Sequence, residues 1–357
     1  MGREVALIGD QATANVARGL GIESESLPGD LDLGPFLAGA IRQAMVEAGG
    51  DHARAGALVD ARLSEWSRRM AAALADRLAG RDAALIVTSL FGIEVLHRLA
   101  PDTPWAVINS TFYVGPNPPR PLEQDFGPRA VALIGGFVPL LAEARLVLHA
   151  TDQHFDYGFA GLPPTHLYSG PLGVWEPPQA VPPYLSEPGD PWVLVSISTE
   201  AQDDVPIARA ALEALADRPV RVLVTVGPEH DPAELGELPA NARAVHTAPH
   251  GHVLERAVVF VSHAGHGSVM KGLWYGCPMV LAPWGRDQPG VAARAQALGV
   301  ARIVPRDAVS AGAMREALGH ALADKAMAAA AQAHSLRLRA TDPPAVAAAA
   351  LEGAAAR

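Results

Sequence analysis

Cysteine is almost missing: the 357 residues hold one, Cys277. A single thiol permits no disulfide framework within the chain, which suits a reducing, cytoplasmic setting. It stands in YGCPMV, where a small buried turn residue fits. Charge is sparse as well, at 18% of residues, and its balance is acidic, with a formal net charge of −10. Nucleic-acid binders need a basic face for their phosphate contacts, so that class is excluded. An acidic chain can still hold a small anion, because one helix N-terminus is enough. No stretch reaches about 18 uninterrupted apolar residues, so no membrane span is expected. The opening MGREVALIGD has no long apolar run after a basic start, and residue 6 is Ala where an acylation site wants Ser or Thr. Neither a leader nor a lipid anchor is read there. The chain also lacks a GxGxxG fingerprint and a GK[ST] phosphate loop.

Apolar residues are plentiful, at 49%, enough for large cores in the two domains that this length suggests. Short apolar runs alternate with helical stretches: EVALI from Glu4, AALIV from Ala83, WAVIN from Trp105, then short runs at Leu146–His149 and Thr165–Tyr168. That rhythm indicates parallel strands covered by helices. The proline-rich PLGVWEPPQAVPPYLSEPGDP then breaks it, and proline makes this an extended connector. The rhythm restarts at WVLVSIS and continues through VRVLVTVG, VVFVSH and PMVLAP to alanine-rich closing helices. The expected organisation is an N-terminal domain over 1–172, a linker over 173–191, a second domain over 192–330 and terminal helices over 331–357. Both domains are read as doubly wound α/β, with a C-terminal helix returning to the first. Ligands in such sheets bind beyond the carboxyl ends of the strands.

The stretch Val258–Gln288 carries the chemistry. After VVFVS come His263, Ala264, Gly265, His266, Gly267 and Ser268, then a helix. Small residues let the backbone approach a ligand, and the first N–H groups of a helix are unpaired, with the positive dipole end behind them. A diphosphate fits that description; so does a plain strand–helix turn. Asp287 and Gln288 follow the next strand and together can accept from and donate to vicinal hydroxyls, although alone they read as a solvated loop. His250, in PHGHVL, can lie against a flat base or on the surface. The spacing of His246, His250, His252, His263 and His266 matches no standard zinc pattern, so no metal is expected.

In order, spacing and strand context, APHGHVLERAVVFVSHAGHGSVMKGLWYGCPMVLAPWGRDQ resembles the donor-binding signature of glycosyltransferase family 1. These are inverting enzymes of GT-B fold, among them the bacterial antibiotic and macrolide glycosyltransferases. The resemblance implies two Rossmann-like domains facing across a cleft. It implies transfer of a sugar from a nucleoside diphosphate, of UDP or TDP type, to a hydroxyl of a small lipophilic acceptor, without metal or other cofactor. On that reading His263, Gly265, His266, Gly267 and Ser268 hold the diphosphate. Ser196 and Ser198 border it, Asp287 and Gln288 meet the sugar, and His250 faces the base. Asn109, Phe112 and Tyr113 would help form the acceptor pocket, with Trp66 and Phe91 as further apolar walls.

The first half resembles the family less. The family's first strand, its glycine-rich loop and the histidine that serves as general base have no counterpart here. The acid that orients that histidine is missing from AALIVTSLFG. Asp10, His97 and His149 are the substitutes available, and the catalytic residues stay unassigned. A catalytically silent relative that supports an active transferase is therefore an alternative, and a sugar-nucleotide epimerase on the same architecture is a weaker one.

Overall fold

The computed structural model describes residues 4–126, 128–199 and 202–356; the Met1–Gly2 pair considered for acylation lies outside them. The chain divides into two compact units, the first formed by residues up to 84 with 91–103, the second by 85–90 with 104 onward.

In the first unit, β1 (Ala6–Gly9) leads through α1 (Gln11–Gly19) into the parallel β2 (Glu23–Ser26). β2 reads ESES, so no apolar run announces it. Arg81 fastens it from outside, 2.9 Å from Glu23 and also bonded to Glu25. Helices α2 (Leu33–Glu47) and α3 (His52–Leu78) pack on each other, and α3 also packs on α4 (Ile93–Leu99). Trp66, Met70 and Leu74 recur every four residues on α3, the spacing of one helical face. They bury against Leu31, Val95 and Leu99. The Trp66 indole donates to the Leu31 carbonyl at 3.0 Å. Trp66 is therefore core, not a pocket wall.

The second unit holds two parallel sheets. In the first, β3 (Ile86–Ser89), β4 (Trp105–Asn109), β5 (Leu146–His149) and β6 (His166–Tyr168) lie in chain order. Between β4 and β5 run α5 (Leu122–Asp125) and α6 (Pro128–Leu140). The other sheet begins with β7 (Trp192–Ser196), α7 (Val205–Leu215), β8 (Arg221–Thr225) and β9 (Ala242–Val245). The chain then returns through α8 (His250–Leu254), β10 (Ala257–Ser262), α9 (His266–Tyr275), β11 (Met279–Leu281), α10 (Gln288–Ala297) and β12 (Ala301–Ile303). The strand order β12-β11-β10-β7-β8-β9 puts the switch point between β7 and β10, where open α/β sheets bind ligands. Val193, Val195, Val222, Val224, Val259 and Val261 form the buried face of this sheet under α7. The chain closes with α11 (Ala311–Ala323), α12 (Lys325–Arg339) and α13 (Pro343–Ala356).

The expected division at the proline-rich stretch differs from the one observed. Helix α13 packs its Ala347 and Ala354 on Ala106, Leu146 and Leu148 of the four-stranded sheet. Arg145 Nη1 reaches the Ala354 carbonyl at 3.2 Å. The C-terminal helix thus returns to the N-terminal half as expected, and in doing so ties β3–β6 into the second unit. Among the described residues no helix is long and apolar enough to cross a membrane.

Candidate functional site

Three loops leave the carboxyl ends of β7, β10 and β11, and each contains a non-glycine residue in the left-handed region: Asp203 (φ 60°), Ala264 (φ 66°) and Arg286 (φ 57°). Such backbone costs of order 1–3 kcal/mol per residue and persists where the surroundings enforce it. Three outliers at one sheet edge make that edge the place to look for function.

The β10 loop is the sharpest. Gly265 caps α9 without a side-chain hydrogen bond, so the first N–H groups of the helix are left to water or an anion. Gly267 is exposed and Ser268 half-buried, while His263 is buried. The His263 Nδ1 has no hydrogen-bond partner. Its Nε2 lies over Gly265, where an added Cβ would come within 2.5 Å of it. Burial lowers the His263 pKa, with the charge of Asp204 and the Ser196 backbone pulling the other way. His266 behaves differently. Its ring turns inward, edge-on to Phe155 at 5.9 Å, and burial with the charge of Arg294 pushes it down to about 3. Expected to hold the diphosphate, His266 can offer only its backbone.

On β7, Ser196 is buried, its hydroxyl 3.4 Å from the Ile197 carbonyl. The Ser198 N–H donates to Asp204 Oδ2 at 2.9 Å, and Gln202 Nε2 donates to the same oxygen at 3.0 Å. The other Asp204 oxygen is buried without a partner. Asp204 Oδ2 stands 4.0 Å from His263 Nδ1. The sequence reading missed Asp204, because an acid before VP marks an ordinary helix start.

After β11, Gln288 closes its own loop. Its Oε1 accepts from the N–H groups of Trp284 and Gly285 at 2.7 and 2.9 Å, and its Nε2 donates to Gln202 at 3.0 Å. Gln288 is 2% exposed, so its amide, expected to meet sugar hydroxyls, is occupied by the loop. Asp287 remains half-buried. Burial raises its pKa, against the bond that Thr111 Oγ1 donates to Oδ2 at 2.6 Å. His250, expected to face a base, points back at the sheet: its Nε2 lies 3.0 Å from Thr225 Oγ1 and its ring 6.4 Å from that of Phe260. Burial, with the charge of Lys271, lowers it to about 4. Its neighbours Gly251 and His252 line a cavity of about 400 Å³ with Trp175, Glu255 and Tyr275.

The expected acceptor residues are interior. Asn109 is 1% exposed; its amide donates to the Phe112 carbonyl at 2.7 Å and sits 2.9 Å from His149 Nδ1. Phe112 and Tyr113 are fully buried. Phe112 lies under the Arg294 guanidinium at 3.7 Å. The Tyr113 N–H donates to Asp156 at 2.6 Å, and burial, with the Asp156 charge, pushes its phenol up to about 12. Arg294 is the reason for this packing. Wholly buried on α10, it pairs with Asp125 at 2.8 Å and Asp156 at 2.7 Å. Gly290, one turn earlier, lets the helix seat there: a Cβ would meet Asp125 at 2.7 Å and Phe112 at 2.8 Å. Of the substitute bases, Asp10 caps α1 by accepting from Thr13, and those bonds outweigh burial and lower its pKa. His149 is fully buried, between Asn109 and His166, and driven down to about 3. His97 stands on α4 and Phe91 is exposed, both in the first unit. Among the described residues no group of three or more His, Cys, Asp or Glu is placed to hold a metal.

Residues 209–352 match a family described as the C-terminal domain of erythromycin biosynthesis protein CIII-like proteins. The chain is similar to 4'-demethylrebeccamycin synthase of Lentzea aerocolonigenes, 32% identical over 163 residues, which make up 45% of this chain and 38% of that protein. The match thus spans about two fifths of that relative's length. The fold is similar to that of CalG4, the calicheamicin glycosyltransferase, with a TM-score of 0.71 at 21% identity, over 99% of this chain and 91% of the other. It is also similar to that of the glycosyltransferase VinC, solved in complex with dTDP, with a TM-score of 0.69 at 18% identity, over 99% and 92%. The fold is therefore GT-B.

Proposed function

We propose that the chain, GT-B in fold and similar in its C-terminal part to antibiotic-biosynthesis proteins, is a family 1 type glycosyltransferase that transfers a sugar from a nucleoside diphosphate to a hydroxyl of a small lipophilic acceptor, with inversion at the sugar carbon. The observation that carries this reading is the β10–α9 turn. It offers an uncapped helix N-terminus, two glycines and a buried histidine whose Nε2 lies over Gly265. Those groups suit the charge that grows on a departing diphosphate, and a preorganised site of this kind stabilises it without a metal ion. Asp287, with its second oxygen free of the Thr111 bond, is the group best suited to sugar hydroxyls. The acceptor hydroxyl would attack from the face opposite the diphosphate, forming the new C–O bond as the C–O bond to phosphate breaks, with the diphosphate leaving and the hydroxyl proton passing to solvent.

The test is equilibrium titration with thymidine and uridine diphosphates, followed by a transfer assay with the matching nucleotide sugars and a panel of hydroxylated polyketide aglycones. His263→Ala is expected to weaken diphosphate binding by about 10–100-fold, as for loss of a charged hydrogen bond. Absence of any nucleoside diphosphate binding by the unmodified protein would refute the reading.

A second reading keeps the same binding site but no turnover. It is favoured by the engagement of Asp10 as a helix cap and of His149 in a buried stack, which leaves neither ready to take a proton from an acceptor. Nucleotide binding without transfer, together with stimulation of a co-expressed transferase, is its signature.

A further inference from the structure

Resting on the donor-binding reading above, we propose that Asp204 is a positioning residue for His263. It holds the imidazole between a buried carboxylate and the anion turn, so that the ring takes up one proton when a diphosphate arrives. The geometry spans the whole path. Asp204 is fully buried and keeps one oxygen without a partner. Its other oxygen is fixed by Ser198 and Gln202 and lies 4.0 Å from His263 Nδ1, which is itself buried and unpartnered. That distance is too long for a hydrogen bond, and a small ring movement closes it. The far ring nitrogen stands over Gly265, at the mouth of the uncapped turn.

A neutral imidazole has one N–H, so it can donate to Asp204 or to a phosphate oxygen but not to both; the imidazolium donates to both. The other groups facing the ring are Arg286, from the loop after β11, which opposes protonation, and the Ser196 backbone at the end of β7, which favours it. With the turn empty, burial keeps the ring neutral. A diphosphate on the far side places His263 between two anions, and the proton comes from solvent with no bond broken. Diphosphate affinity then depends on Asp204, a residue with no contact to the ligand.

Calorimetric titration of the full chain with thymidine diphosphate, in buffers of different ionisation enthalpy at pH 7.5, reads the proton directly. Uptake approaching one proton per ligand is expected in the unmodified protein and none in His263→Gln. In Asp204→Asn the amide oxygen can still accept from Ser198, so the loop is retained; uptake is expected to fall below half, with affinity down roughly tenfold. Asp204→Glu is expected to restore part of both, and it replaces the Asn variant if that one does not fold. Binding by the unmodified protein without proton uptake, or equal uptake with and without Asp204, overturns the inference while leaving the donor site standing. Absence of thymidine and uridine diphosphate binding removes both.

Discussion

Two buried histidines in this protein invite comparison. His149 ends β5 with both ring nitrogens engaged, 2.9 Å from the Asn109 amide and 3.0 Å from His166. His263 follows β10 with Nδ1 unpartnered, beside a carboxylate that also has an oxygen unpartnered. Burial depresses both. What separates them is satisfaction. A buried polar group with every bond made serves the fold, whereas one left open costs stability and calls for another explanation. The loop after β4 and the loop after β10 differ in the same way. Asn109 to Tyr113 are sealed by Arg294, Asp125 and Asp156; the β10 turn leaves the start of α9 without a side-chain cap.

The comparison breaks most readily at Arg294. Replacing it with Met is expected to cost about 3–5 kcal/mol, because Asp125 and Asp156 are left buried without their cation. Denaturant unfolding reads this directly, and a change under 1 kcal/mol would show that the loop after β4 does not depend on the ion pairs. Next comes a crossed pair. His149→Ala is expected to lose about 2–4 kcal/mol of stability, through a cavity and stranded partners, with thymidine diphosphate affinity unchanged in the folded protein. His263→Ala is expected to do the reverse, with affinity lost and stability held within about 1 kcal/mol. If both variants lose stability alike, satisfaction does not distinguish scaffold from site.

How legible was this in the sequence? The inner strands of the six-stranded sheet were, because they are short buried apolar runs bounded by turn chemistry, as at Val259–Val261 and Met279–Leu281; β9 (ARAV) and β12 (ARI) carry weaker runs. The doubly wound α/β class followed from their order; GT-B was implied by the resemblance of the stretch around His263 to glycosyltransferase family 1. β2 was not legible: ESES has no apolar period and is held by Arg81, 58 residues from Glu23. Nor could sequence show that Phe112 and Tyr113 are interior, since an aromatic after a strand reads equally as wall or core. The partner that decides it, Arg294, lies far along the chain on α10. The inward turn of His266 was equally hidden, because Phe155 comes from the other sheet's half of the chain.

The scaffold histidines should also contribute to the acid sensitivity of stability, alongside His250 and His266, which burial lowers as far. His149 and His166 are held down to about 3 and about 4, chiefly by burial. Their folded pKa lies below the unfolded value near 6.5, so between those values the unfolded chain binds more protons. Their contribution is full above about pH 6.5 and declines as pH falls towards 4 and 3, by roughly 1.4 kcal/mol per pH unit for each group. Unfolding free energy measured from pH 6.5 to 5 is expected to fall less steeply in His166→Gln. An unchanged slope would place the acid sensitivity elsewhere.

The smallest expected effect sharpens the comparison most, because Thr111 joins the two regions. It belongs to the sealed loop after β4, yet its hydroxyl donates to Asp287 at 2.6 Å. Thr111→Val removes that bond and keeps the shape, at a cost of roughly 0.5–1.5 kcal/mol. Asp287 is half-buried, so water can take the place of the lost donor. If Asp287 receives sugar hydroxyls, losing the group that orients it leaves thymidine diphosphate binding unchanged and weakens binding of the corresponding nucleotide sugar several-fold. The ratio of the two affinities is the measurement. Equal loss for both ligands would tie the Thr111–Asp287 bond to the turn as a whole, and no loss for either would return Asp287 to the scaffold. The bond is then the boundary between the part of this sheet edge that is finished and the part that waits for a ligand.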